Sequence, residues 1–160
     1  MDLSEQDLKK IKSLHVMLKM PIWILERETN RVLKSYKSIY KYPISYEFKE
    51  KNISDEVVQF YSGMLNEIFL CLWYQDVRIV IGAFRINNVT STEFSHVYDN
   101  LTPENKKILS EKECWEYYSS LPVYPLGDIR DYLILLGFLF DMNLERFILK
   151  SCINKWAKIS

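Results

Sequence analysis

The stretch EIFLCLWYQDVRIVIGAF, Glu67 to Phe84, reads as two apolar strands broken at Gln75 and Asp76. Successive side chains of a strand point to opposite sides. Ile68, Leu70 and Leu72 therefore share one face, and Phe69, Cys71 and Trp73 the other. In the second strand Val77, Ile79, Ile81 and Ala83 oppose Arg78, Val80, Gly82 and Phe84. Both faces are greasy, so both must be covered, because each Å² of apolar surface withdrawn from water stabilises by ~25 cal/mol. Two arrangements satisfy this. Helices can cover both faces, or helices can cover one while the other lines a small-molecule pocket. In the second arrangement Phe69, Cys71, Trp73 and Phe84 are the walls, with Arg78 or Arg85 at the mouth. Gly82 leaves space there for a bulge or a close approach.

The remaining segments supply the covering elements. Leu8, Ile11, Leu14 or His15, and Leu18 recur at helical spacing, Ser4 and Asp7 form a capping pair, and Pro21 ends the helix. Ile22–Glu26 and Arg31–Tyr36 read as a hairpin around the turn RETN. The aromatic segment IYKYPISYEFKEKN is irregular, with Pro43 limiting pairing. SDEVVQFYSGMLN predicts a helix starting at Ser54, with Val57, Val58, Tyr61, Met64 and Leu65 as its apolar positions. NNVTSTEFSHVYDN reads as a loop with at most a short helix. One helix is expected from Thr102 and Pro103 to just before Pro122, then a rigid connector LPVYPLGD. Asp128 to Ala157 is expected to be helical, with a break near DMN. The order gives an α+β fold, a small antiparallel sheet flanked by helices, in one domain spanning 1–160.

Composition narrows the function. Hydrophobic residues are 48% and aromatics 14%, enough for a proper core. Lys+Arg and Asp+Glu are 21 each, without the basic excess of a phosphate-binding surface, so no direct nucleic-acid contact is expected. Of the three cysteines, Cys71 and Cys152 fall in an apolar strand and a helix, Cys114 stands apart, and no CxxC pair occurs. No metal or cofactor site is therefore expected. The N-terminus lacks an apolar signal core, and the run Tyr132–Phe140 is about half the ~20 residues of a membrane span. A cytoplasmic location without membrane insertion is the expectation. No motif of a nucleophilic, phosphate-binding or metal enzyme occurs. His96 lies near Glu93 and Asp99 in sequence, and nothing besides that proximity favours acid–base chemistry, so no enzyme is expected.

MPIWILERETNRVL resembles the opening strand–turn–strand of PAS- and GAF-like sensor domains. RIVIGAF and YYSSLPVYPLGDIRDYLILLGFLF are similar to a strand, connector and apolar helix in the N-terminal sensory regions of AraC-type transcription regulators of Gram-positive bacteria. The resemblance implies a GAF/PAS-like regulatory input domain that senses a small-molecule effector or forms a homodimer, with a DNA-binding domain beyond residue 160. Leu8, Ile11, Leu14 and Leu18, and Leu133, Leu136 and Phe140, are the two stripes that would pair across a two-fold axis, although both could equally cover their own sheet. A standalone protein–protein interaction module is the other reading.

Overall fold

The structure, a computed structural model, describes residues 3–37, 57–142 and 144. Helix α1, Glu5–Leu18, starts where a capping box forms. The Ser4 hydroxyl accepts from the Asp7 backbone N–H at 3.1 Å, and the Asp7 carboxylate accepts from the Ser4 backbone N–H at 3.3 Å. Lys19 closes the helix in a left-handed conformation (φ 56°), its N–H bonded to the His15 carbonyl. The chain then enters β1, Ile22–Glu26, turns at Asn30 (φ 57°) and returns as β2, Val32–Tyr36.

Three more strands follow the segment outside the described residues: β3, Val58–Ser62; β4, Ile68–Tyr74; and β5, Val77–Phe84. The five form one antiparallel sheet in the order β2-β1-β5-β4-β3. The two hairpins thus meet along β1 and β5, and β5 lies at the centre with all eight of its residues buried. The expected helix after Ser54 is overturned where it can be seen. Val58 and Phe60 alternate onto one face of β3, and every residue of that strand pairs with β4. Apolar positions three and four apart imitated a helix until the ladder decided between the two periods. Ser54 itself lies outside the described residues.

Helices α2, Ser91–Asp99; α3, Pro103–Ile108; α4, Glu111–Ser120; and α5, Leu126–Leu139, follow among the described residues. The segment expected as a loop with a short helix holds the nine-residue α2, opened by a second capping box from Thr90 and Glu93. The single helix expected from Thr102 is divided, because Ser110 caps a new start. α5 ends before the DMN sequence, as expected, and the predicted continuation through 145–157 lies outside the described residues.

The sheet is covered on both faces. On one, α1 and α5 bury Ile11, Leu14, Leu18, Ile129, Leu133, Leu136 and Phe140 against Ile22, Ile24, Leu70, Leu72, Ile79 and Ile81. On the other, Phe94 of α2 and Cys114, Tyr117 and Tyr118 of α4 pack on Leu25, Phe69, Cys71 and Val80. The Phe94 ring lies 5.3 Å from Trp115 and 5.1 Å from Tyr118, centre to centre.

One register shift corrects the expected faces of β5. Phe69 pairs with Gly82 but Ile68 pairs with Phe84, so Ala83 is an extra residue in β5. Beyond that bulge the alternation slips by one. Ala83 joins the α2/α4 face, and Phe84 joins Ile81 on the α1/α5 face, the reverse of strict alternation. Gly82 permits it. A Cβ there would lie 2.6 Å from Phe69 Cδ1 and 3.0 Å from the Ile68 carbonyl oxygen, and neither a packed ring nor the backbone can yield freely. Gly82→Ala is therefore expected to lower stability by about 1–3 kcal/mol, the range for overpacking a tight interior, as read from the urea midpoint.

Candidate functional site

The expected pocket residues separate into two groups. Phe69 and Cys71 sit under α2 and α4 as part of the packed core, so on this face helices occupy the place where a ligand was envisaged. Burial pushes the Cys71 thiol up to about 12, against a smaller opposing pull from Arg78. Burial also raises the Cys114 thiol. Neither is a thiolate at neutral pH, so neither is a poised nucleophile.

Trp73 and Arg78, directly paired across β4 and β5, form a stack instead of a rim. The Arg78 guanidinium lies 3.9 Å from the Trp73 ring centre, with Arg27 at 4.6 Å, and Arg78 Nη1 donates to Asn30 Oδ1 at 3.0 Å. Arg78 is only 4% exposed. Arg85 is equally committed. Its Nε and Nη2 donate to the Leu121 carbonyl at 3.2 and 2.9 Å, and Nη2 also reaches the Ser119 carbonyl at 3.2 Å. It satisfies carbonyls left over at the C-terminal end of α4 and lies 5.3 Å from the Tyr118 ring centre. This cation is a helix cap, not a gatekeeper.

Phe84, carried to the other face by the bulge, lines a cavity. Leu18 and Met20 at the end of α1, Phe60, Leu70 and Ile81 of the sheet, and Tyr124, Ile129, Tyr132 and Leu136 around the start of α5 complete its wall. The lining is carbon throughout and the volume about 20 Å³. That is room for about one water, with no polar partner to hold it, so the space stays dry.

Two tyrosines bracket the face that holds this cavity. At one end the Tyr124 hydroxyl donates to the Leu18 carbonyl at 2.8 Å, while its ring meets Tyr132 edge-on at 4.9 Å and Phe84 at 5.9 Å. Burial, then proximity to Tyr132, pushes the Tyr124 hydroxyl up to about 12, so it remains a donor at any ordinary pH. At the other end the Tyr74 hydroxyl donates to Asp7 Oδ1 at 3.0 Å, and its ring lies 4.8 Å from Phe140. The start of α1 thus meets the end of α5 at Tyr74, and the end of α1 meets the start of α5 at Tyr124. The two helices run antiparallel across one face of the sheet.

This arrangement corrects the expected pairing stripes. Ile11, Leu14, Leu18, Leu133, Leu136 and Phe140 are buried against the protein's own sheet, with Leu8 partly buried beside them, so none is presented to a second copy. The large apolar side chains exposed on these helices are Val16, Met17 and Phe138, the last 81% exposed. His15 Nδ1–H donates to the Met20 carbonyl at 2.7 Å beside the Tyr36 ring, and His96 sits in the last turn of α2, whose Glu93 carboxylate accepts from the Thr90 backbone N–H.

Sequence reading missed Tyr124 and Tyr132. The available signal was Tyr124 between Pro122 and Pro125 in a connector, extended by its neighbours; Val123 bridges Arg85, and the Tyr124 N–H donates to the Arg85 carbonyl at 2.7 Å. No group of three or more metal-ligating side chains occurs among the described residues, and no helix there is long and apolar enough to cross a membrane. Comparison with protein-family models, curated proteins and solved structures finds no match to this chain.

The Tyr74 latch is pH-sensitive with a definite sign. Burial raises the Asp7 carboxyl, but hydrogen bonds from Ser4 and Tyr74 outweigh it and hold the group below its ordinary value. Burial, then the bond to Asp7, raises the Tyr74 hydroxyl. The folded state therefore favours ionised Asp7 and neutral Tyr74. The Asp7 contribution is complete above its unfolded value of about 3.9 and is lost as pH falls through the lower folded value. The Tyr74 contribution is complete below about 10 and is lost as pH rises through the higher folded value. Tyr74→Phe is expected to cost about 1–2 kcal/mol at pH 7, with the gap from the parent protein closing as pH drops below about 3.9, as read from melting curves over a pH series.

Proposed function

We propose that this chain is the regulatory input domain of a bacterial transcription regulator of the AraC type, built on a PAS-like sheet and responding to a small-molecule effector. A five-stranded antiparallel sheet with helices packed on both faces is compatible with the α+β sensor fold that the sequence resembles. The observation that carries the reading is the antiparallel pair α1 and α5, laid over one sheet face and joined to it and to each other through Tyr74 and Tyr124. Helices packed on the sheet by apolar side chains, and tied at their ends by the Tyr74 and Tyr124 hydroxyls, could take a second arrangement only if an effector bound it better and so shifted the population toward it.

A melting screen against metabolites, with spin labels on exposed Lys12 of α1 and Asp131 of α5, tests this. At a hundredfold excess over Kd a specific effector adds about 2.7 kcal/mol, or about 5–10 °C for a domain of this size, and the label separation should change with it. A screen without any stabilising compound removes the effector from the reading.

Exposed Phe138, together with Ile108 at 77% exposure, favours a second reading, a protein–protein interaction module. Under that reading Phe138→Ser abolishes an association seen by light scattering while leaving the melting temperature unchanged. A chain that is monomeric before and after the substitution, and binds no partner through Phe138, argues against it.

A further inference from the structure

The carbon-lined cavity points to more than imperfect packing. We propose that it is a binding site for a small, uncharged, apolar molecule, and that occupancy releases the end of α1 from Tyr124. This deepens the sensor reading and rests on it only for what the release would signal.

The lining decides the class of ligand. No polar atom faces the space, so a charged or hydrogen-bonding guest would lose its hydration without replacement, whereas an apolar one gives up nothing. The volume decides what must follow. At about 20 Å³ the space takes a guest of water size, and anything larger has to displace part of the wall. Phe60, Leu70, Ile81 and Phe84 are fixed in paired strands, and Leu136 is buried within α5. Tyr124 differs, lying in a connector outside any helix or strand. Met20, also outside any helix or strand, is 4% exposed with its carbonyl held by His15, whereas Tyr124 is half-buried. The Tyr124 N–H donates to the Arg85 carbonyl, but its side chain is held at the space only by the hydroxyl's bonds to the Leu18 carbonyl and Tyr132 and by edge contacts with Phe84 and Tyr132. A guest large enough to push outward moves Tyr124 first. The bond that then breaks belongs to the last residue of α1, so filling the cavity frees that end of the helix while the Tyr74–Asp7 latch holds the other.

Xenon under pressure is the probe, followed by methyl and amide NMR of the whole chain. The expected result is saturable shifts at Leu18, Ile81 and Leu136. Leu136→Phe, which fills the space from α5, should abolish them while the fold persists; Ile129→Phe serves as the filling variant if the first fails to fold. Tyr124→Phe keeps the ring and removes the bond, and should tighten xenon binding by about five-fold, the equivalent of the ~1 kcal/mol net worth of one hydrogen bond. Shifts absent from these positions, or persisting in a folded filling variant, overturn the site. Unchanged affinity in Tyr124→Phe overturns the coupling. Xenon binding that follows this pattern, while no effector alters the separation of α1 and α5, leaves the site standing and removes the sensor reading alone.

Discussion

The pairing of β4 with β5 is the constraint from which the rest of the molecule follows. It places an unbroken apolar strand at the middle of the sheet, where every residue from Val77 to Phe84 is buried. A strand with two dry faces cannot exist at a surface, so the fold must be three layers deep. The α1/α5 layer and the α2/α4 layer are two answers to the same requirement. They are not equivalent. The α2/α4 layer is aromatic and tight, with Phe94 set between Trp115 and Tyr118, whereas the α1/α5 layer is mainly aliphatic and carries the cavity.

Much of this was legible from residues with a simple period. The alternation through Ile68–Leu72 placed each side chain on its observed face, and Ser4 with Asp7 located the start of α1. What escaped has physical causes. Phe84 changes face because of an extra residue, and a bulge is set by what the neighbouring strand can accept, here Phe69 against Gly82. Val57, Val58, Tyr61, Met64 and Leu65 satisfy a helical spacing, and only β4 beside Val58–Ser62 selects the extended form there, with Met64 and Leu65 left in the turn that follows. The Thr90–Glu93 cap was visible in principle, but α2 buries a single residue, Phe94, so its apolar period was too faint to read.

The candidate site shows the same division. Arg78 and Arg85 were recognisable as charges beside an apolar face, a pattern shared by ligand-binding cations and by cations that serve the fold. The difference lies in elements distant in sequence: the end of α4 takes Arg85, and Trp73 with Asn30 takes Arg78. The cavity was illegible for a related reason. Its wall draws on α1, three strands, a connector and α5, and no local pattern in any one of them marks a space that exists only where all of them meet.

The antiparallel course of α1 and α5 brings the first turn of one and the last turn of the other to a common pole at Tyr74. The Tyr74 hydroxyl bonds the opening of α1 while its ring rests on the residue that closes α5, so one side chain couples two segments that lie far apart in sequence.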